Sequence, residues 1–261
     1  MFLIKATKKT LKDIKKNKWL FLLLFITQLA FIIVFAAVQF KYQFAMAQDY
    51  KDILVSLDKT SFDESDPFTN TDFFQEIAPL VNAWDRMKNN FQYLLFFSFL
   101  LFISFNGLNW SLTHYLIKKQ NILRPWGKFI IFSGLFFVPY IIIMYVLFKI
   151  PLLQENPLAL SQAMVILAAL FVYFALVYFA FVSQSFKKIF RKIFWEIGIK
   201  KFYWVLLVYL IITVILSLII YLLYYSVNYW HIALVTLFIL LLVLALSTLR
   251  IFLINSFSKI S

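Results

Sequence analysis

The stretch KKTLKDIKKNKWLFLLL, from Lys8 to Leu24, shows which kind of surroundings this chain is built for. It passes from a run of lysines through Trp19 into apolar residues, the order in which a helix leaves lipid headgroups and enters hydrocarbon. A second stretch, RKIFWEIGIKKFYWVLL, repeats that order from Arg191 to Leu207. The two stretches predict two helices that enter a bilayer from the same kind of surface.

The composition of the whole chain agrees with a membrane protein. Of its 261 residues, 63% are hydrophobic and 14% are charged, against about 45–50% and about 25% in soluble domains. This sequence has fewer polar residues than a soluble protein of the same size needs to cover its surface. The sequence contains no cysteine, which excludes disulfides and thiolate metal sites.

Six segments have about 20 mostly apolar residues, the length that crosses a bilayer as a helix. None of the six contains an acidic residue, and none shows the alternation expected of barrel strands. We therefore predict an all-α polytopic membrane protein, a single domain over residues 1–261 that forms a bundle of six transmembrane helices. The predicted spans are residues 19–40, 91–117, 128–148, 158–182, 202–227 and 231–252.

The Lys and Arg residues collect on one side of this predicted bundle. Residues 1–18 carry seven Lys and one Asp, and basic residues also dominate the connections 118–127 and 183–201. Residues 41–90 instead carry five basic and nine acidic residues. Because cytoplasmic connections are rich in Lys and Arg, we predict a multi-pass protein of the cell membrane, with both termini cytoplasmic and an acidic outer loop at 41–90. A short amphipathic helix in that loop is predicted from apolar residues at helical spacing, Phe74, Ile77, Val81 and Trp84.

The connection before the fifth span has the pattern of an amphipathic helix at residues 185–201. Its apolar residues share one helical stripe: Phe186, Ile189, Phe190, Ile193, Phe194 and Ile197. Its basic residues lie off the stripe and are predicted to contact anionic headgroups: Lys187, Lys188, Arg191, Lys192, Lys200 and Lys201. The alternatives to such an interfacial helix are a coupling helix that docks a cytoplasmic protein and, by pattern alone, a calmodulin-like target. The first lead-in has a thinner stripe of Ile4, Leu11 and Ile14.

Two explanations fit the similarity between the two lead-in stretches. An even number of predicted spans separates them, so a parallel internal duplication agrees with the topology. Convergence is favoured, because the similarity covers 17 positions and every cytoplasmic lead-in draws on Lys, Arg, Trp and Phe.

Polar residues with helical spacing occur in the second predicted span. Asn106, Asn109 and Thr113 lie at positions i, i+3 and i+7 and share a face, which His114 borders. Because an unpaired amide in hydrocarbon is costly, these side chains must contact another helix, water or a ligand. Interhelical hydrogen bonds are the simpler interpretation, and a polar notch that holds a headgroup or substrate is the functional one. Arg250 lies at a similar depth and either adds positive charge to that notch or extends to the headgroups.

Small residues mark the fourth span at a spacing of seven. Ser161, Ala168 and Ala175 are predicted to form a packing seam that lets a neighbouring helix approach closely. We therefore expect this helix to be central in the bundle. Gln28, in the first span, is expected to hydrogen-bond to another helix.

The sequence lacks the groups that intramembrane chemistry normally uses. Catalysis and ion coupling in a bilayer need ionisable side chains that face the bundle interior, and all 12 acidic residues lie outside the predicted spans. His114 and His231 are predicted near opposite faces of the membrane. We therefore expect no catalytic residues, no metal and no cofactor. Because the basic residues directly flank the spans, we also expect no nucleic-acid partner.

Three classes of function remain. The first is a non-enzymatic scaffold, assembly factor or lipid-interacting accessory subunit, whose partners are anionic membrane lipids and a possible protein at 185–201. The second follows from the layout of a basic amphipathic helix, a span, an outer loop and five further spans, which resembles the permease subunit of ABC-2-type exporters and implies a cytoplasmic ATPase partner. The third is a lipid-modifying enzyme built on Asn106, Asn109 and His114. The abundance of Lys, Ile, Phe and Asn with few Gly is typical of AT-rich prokaryotic genomes.

Overall fold

The computed structural model describes residues 2–59, 71–119, 121–149, 157–197, 199–228 and 232–260, and within these ranges it contains helices and no strand. The first helices are α1 (Phe2–Lys16), α2 (Lys18–Lys59) and α3 (Thr71–Leu101), and a π-helical turn at Phe102–Asn106 joins α3 to α4 (Gly107–Lys118). The next helices are α5 (Leu123–Lys149), α6 (Pro157–Phe181) and α7 (Phe186–Arg191), and α7 continues into a second π-helical turn at Lys192–Glu196. The last two helices are α8 (Phe202–Asn228) and α9 (Ile232–Ile260).

The chain is an all-α, multi-pass membrane protein. In the described residues, six helical segments are long and apolar enough to cross a bilayer: Lys18–Leu57, Ile77–Lys118, Leu123–Ile143, Leu158–Phe181, Phe202–Asn228 and Ile232–Ile260. Large apolar side chains are exposed along all of them, as expected where acyl chains take the place of water. The fold class predicted from the sequence is confirmed.

The described residues group into two compact units, and the smaller one consists of Ala30–Phe102. It is an antiparallel pair formed by the second half of α2 and by α3. Polar contacts join the two helices along their length: Gln39 donates to Ser98 at 3.0 Å, and Asn90 donates to Asp49 at 2.8 Å. Arg86 bridges Asp49 at 2.9 Å and Asp52 at 2.8 Å.

This helix pair differs from the loop predicted for residues 41–90. Residues 41–59 continue α2, and residues 71–90 belong to α3, so the connection contains two long helical segments instead of one short helix. At 42 residues and 1.5 Å per residue, α2 is about 60 Å long, about twice the thickness of a hydrocarbon core. The polar stretch from Thr60 to Asn70 lies outside the described residues. Val81 and Trp84, from the predicted stripe, are exposed, and Ile77 is half-buried; the side chain of Phe74 lies outside the described part.

The larger unit consists of Met1–Leu29 and Ile103–Ser261, and its core lies where three helices are enclosed on all sides. Each of them has a run of consecutive buried residues: Asn109–His114 in α4, Val177–Phe181 in α6 and Ile251–Phe257 in α9. A helix that is buried all round must be surrounded by other helices. Contacts in this unit run from α9 to α1, α4, α6 and α8, and from α5 to α4 and α6. The C-terminal half of α9 is therefore the centre of the unit.

The two lead-in stretches form different structures. The first is a regular helix, α1, whose buried residues are Ala6 and Thr10, while Ile4 and Leu11 stay exposed. Its small and polar face packs on α9, and the third residue of its thin apolar stripe, Ile14, packs against the core cluster of Leu24, Leu112, Leu116 and Ile251. The helix stops at Asn17, whose side chain donates to the Leu116 carbonyl in the last turn of α4 at 3.0 Å.

The second lead-in departs from the single amphipathic helix predicted for residues 185–201. The helix ends at Glu196, and its last five residues are π-helical, so the spacing of 3.6 residues per turn that defined the stripe is lost there. Ile189 and Ile197 are buried, whereas Phe186 and Phe190 are exposed. These four apolar residues are therefore divided between the protein interior and the surface, and the side chains of Ile193 and Phe194 lie outside the described part.

Candidate functional site

The predicted polar notch lies on α4, the helix that is enclosed in the core of the larger unit. Asn109, Thr113 and His114 are fully buried, and Asn106 is 8% exposed. In this setting each polar group needs a partner, because an unpaired one costs free energy that water would otherwise compensate. The hydrogen bonds of these four residues decide between the structural and the functional interpretation.

Asn109 joins α4 to the first turns of α2. Its amide nitrogen donates to Gln28 at 3.0 Å, and its amide oxygen accepts a hydrogen bond from Thr27 at 2.6 Å. Gln28 is itself only 2% exposed, so neither amide has an alternative in water. The expected interhelical hydrogen bond of Gln28 is confirmed, and both functional groups of Asn109 are used within the bundle.

His114 joins α4 to the end of α6. Its Nε2 lies 2.9 Å from the carbonyl oxygen of Phe179, one of the last four carbonyls of α6, which have no partner within their own helix. A carbonyl can only accept, so Nε2 carries the proton. The other ring nitrogen, Nδ1, is buried without a hydrogen-bond partner in the described residues. His114 therefore caps a helix end in the core.

Arg250 joins α9 to α4 through its guanidinium group. Its Nη2 donates to the Asn106 amide oxygen at 2.5 Å, and its Cζ lies 5.7 Å from the centre of the Trp110 ring, within the range of a cation–π contact. Nη1 is buried without a hydrogen-bond partner in the described residues, as is the Ser247 hydroxyl one turn earlier. The guanidinium is thus bound inside the bundle instead of extending freely to the headgroups.

The notch residues do not converge on one cavity. Thr113 donates to the backbone carbonyl of Asn109 at 2.7 Å, so its hydroxyl is used within α4. Asn109, His114 and Asn106 then point to three different neighbours, which are α2, α6 and α9. The arrangement holds four helices together, and this is the simpler of the two interpretations given by the sequence.

Sequence reasoning singled out Gln28 and Arg250 but did not pair them with Asn109 and Asn106, and it missed Thr27, Trp110 and the Phe179 carbonyl. The pair Thr27–Gln28 carried a signal, because polar residues are rare in the first span. Trp110 lies one turn after Asn106, a spacing that also marks a shared face. The Phe179 carbonyl had no signal, because every residue carries a backbone carbonyl and the sequence does not mark which one accepts a hydrogen bond.

The basic residues of the second lead-in fall into two groups. Lys187, Lys188, Arg191 and Lys200 are exposed and available to headgroups. Lys192 is half-buried, with its Nζ 4.4 Å from the centre of the Phe181 ring. Lys201 donates to the carbonyl of Ile260, at the end of α9, where a cation is favourable. Two of the six predicted lipid contacts are thus turned towards the protein.

The predicted packing seam on α6 exists only at one end. Ala175 is 6% exposed, but Ala168 is half-buried and Ser161 is exposed. Instead of small residues, aromatic ones make the contacts of this helix: the Phe179 ring stacks on Phe129 at 4.6 Å. The expectation that this helix is central holds for its C-terminal half.

The chain was compared with protein-family models, with curated proteins and with solved structures, and none matches it. No group of three His, Asp or Glu side chains that could bind a metal ion occurs in the part of the chain that the structure describes. His231 lies outside that part.

Proposed function

We propose that this protein is a non-enzymatic, multi-spanning membrane protein that binds anionic lipids through its basic lead-in segments and serves as a scaffold or accessory subunit. The observation that carries the proposal is the use of the notch residues in helix packing. Asn109 and His114, which an intramembrane enzyme would need as free groups, hydrogen-bond to α2 and to α6. Such bonds stabilise a bundle and leave these groups unavailable for chemistry.

The lipid part of the proposal is supported by the surface around the lead-ins. Helix α1 has six lysines and one aspartate, and α7 has three basic residues among six. Exposed aromatic residues accompany them: Trp19 is 83% exposed and Trp195 is 60% exposed. Trp at this level, with Lys beside it, is the combination that prefers the interface between headgroups and hydrocarbon.

The first test removes exposed charge from the second lead-in. We expect the triple substitution Lys187→Gln, Lys188→Gln and Lys200→Gln to reduce the enrichment of anionic over zwitterionic lipid around the protein by at least half. Each lysine beside an anionic surface contributes about 1 kcal/mol to such an enrichment. The measurement is the lipid composition of particles in which the full chain is extracted from its membrane with its surrounding lipid.

A matched control removes three exposed lysines from the smaller unit, by Lys41→Gln, Lys51→Gln and Lys88→Gln. This variant should keep the enrichment, because the proposal assigns those lysines to the other side of the membrane. An unchanged lipid ratio in the first variant, with loss of a co-purifying protein such as an ATPase, would refute the lipid function and favour the permease alternative.

The second test concerns the orientation, which the proposal takes from the positive-inside pattern. The chain has no cysteine, so single cysteines can be introduced without background. We expect Ser65→Cys to react with a membrane-impermeant maleimide added to intact cells, and Phe190→Cys to react only after the cells are opened. Labelling of position 190 from outside would invert the assignment of the two faces.

A further inference from the structure

Three lysines from separate segments come together in the larger unit. The Nζ of Lys192 lies 4.4 Å from the centre of the Phe181 ring. Two residues before Phe181, the Phe179 carbonyl lies 2.9 Å from His114, which is one turn before Lys118. The charges of Lys9 and Lys192 both act on Lys118. Lys9 belongs to α1, Lys118 is the last residue of α4, and Lys192 opens the π-helical turn after α7. Like charges repel, so the fold holds these three together against their own electrostatics.

A chain of short contacts holds the three segments in place. Next to Lys9, the Thr10 hydroxyl accepts a hydrogen bond from the side chain of Asn255 in α9 at 3.2 Å. Two residues later in α9, the Phe257 ring stacks on Phe181 at 6.4 Å, and Phe181 is the ring beneath Lys192.

The other end of α1 is fixed as well, by the bond from Asn17 to the Leu116 carbonyl, two residues before Lys118. Each lysine is therefore carried by a segment that is docked on the core, and the cluster is a built feature of the unit.

The carboxylates near this cluster have other partners. Glu196 is bound by Arg191 at 2.8 Å, and Asp13 accepts a hydrogen bond from Asn255 at 3.1 Å. Neither forms an ion pair with the three lysines within the described residues. Burial lowers the pKa of Lys192 from its usual range, the charge of Glu196 raises it in part, and the charge of Lys188 lowers it again. The local charge is thus strongly positive and only partly compensated.

We propose that Lys9, Lys118 and Lys192 form a binding site for the phosphate of one anionic phospholipid, with a phosphomonoester headgroup as the preferred class. This inference rests on the proposed function and gives it a specific site. Ammonium groups bind phosphate oxygens as point charges, and three of them suit a headgroup with more than one negative charge.

The position of the cluster favours a lipid over a free anion. Lys118 and Phe181 are the last residues of two membrane-spanning segments, and the ends of spans lie at the level of the headgroups. A phospholipid whose phosphate is bound there has its acyl chains beside exposed apolar helices. One lipid therefore contacts both the lysines and the apolar surface.

The test uses the full chain in detergent, with phosphatidic acid as the probe and phosphatidylcholine as the neutral reference. The triple variant Lys9→Gln, Lys118→Gln and Lys192→Gln is expected to bind phosphatidic acid at least tenfold more weakly, since each lysine beside an anionic headgroup contributes about fivefold in affinity. A matched variant, Lys5→Gln, Lys119→Gln and Lys187→Gln, takes one charge from each of the same three regions. Because these lysines belong only to the general lipid surface, this variant should keep at least threefold more of the affinity than the first variant. Native mass spectrometry counts the bound lipid, and the lipid-dependent rise of the melting temperature gives the affinity.

The outcomes separate this site from the general lipid function. Without lipid, the first variant should melt at an unchanged or higher temperature because a repulsion is removed; if it fails to fold, the three single variants replace it, each about fivefold weaker. Equal losses in both triple variants would overturn the site and leave the proposed function standing. Stabilisation by inorganic phosphate to the same degree would overturn the lipid assignment. Equal binding of phosphatidylcholine and phosphatidic acid by the unmodified chain would overturn both.

Discussion

The substitution Asn109→Ala is expected to lower the free energy of unfolding by about 2 kcal/mol. It removes both hydrogen bonds that connect α4 to α2, the one to Gln28 at 3.0 Å and the one from Thr27 at 2.6 Å. An average hydrogen bond between membrane helices is worth only about 0.6 kcal/mol, but a buried group left without a partner costs about 1–3 kcal/mol. Gln28 would be left in that state, whereas the Thr27 hydroxyl can donate its one hydrogen to the carbonyl of Leu23 or of Leu24, each 3.0 Å away. Unfolding by SDS, titrated into the detergent-solubilised protein, measures the loss.

The double variant Asn109→Leu with Gln28→Leu distinguishes an orphaned group from a lost bond. Replacing both partners by apolar residues of similar size is nearly neutral when the cost comes from the unpaired group. We therefore expect the double variant to regain most of the stability that Asn109→Ala loses. Gln43→Ala serves as the control, because it removes an exposed bond to Gln39 and should change stability by less than about 0.5 kcal/mol. If the double variant had a lower free energy of unfolding than Asn109→Ala, the polar pair itself would stabilise the protein more than apolar packing does.

The fold class was predictable because its signals are local. A span of about 20 apolar residues and a collar of Lys and Trp are read directly from the sequence, and each of the six spans was recognised in this way. The helices beyond the spans were missed for the same reason. Residues 49–59, DYKDILVSLDK, have the composition of a connection, yet they form part of α2. Asp49 and Asp52 lie one turn apart on α2, and both bind Arg86, 34 residues or more further along the chain.

In the candidate site, the sequence identified the polar residues of α4 but not the groups that they contact. The sequence marks three polar residues in an apolar span, Asn106, Asn109 and His114. Because burying an unpaired polar group is costly, each of them was expected to have a partner. Their partners depend on which helices pack together, and nothing in a single sequence fixes that. Arg250 illustrates the limit: extension to the headgroups was as compatible with its position as the bond to Asn106 that the structure contains.

Gly107 is expected to be the least replaceable of the glycines in the described helices. A Cβ atom at this position would lie 2.6 Å from Cδ1 of Trp126, closer than real Cβ contacts come, and 3.0 Å from Cδ1 of Phe129, tighter than most of them. Phe129 is fully buried, so the ring has no open space to move into. We expect Gly107→Ala to cost about 1–2 kcal/mol and Gly107→Leu about 3 kcal/mol or more, the range of overpacked cores.

Gly134 provides the matched control for this prediction, because a Cβ atom there meets nothing within 4 Å. Gly134→Ala should raise the stability by about 0.5–1 kcal/mol, since alanine is the better helix former and no contact opposes it. The two alanine substitutions are thus expected to have opposite signs in the same SDS titration. If Gly107→Ala stabilised the protein as Gly134→Ala does, Trp126 would have to move away at no cost, and the close packing of α4 against α5 would not be what holds Asn109 and His114 in the core.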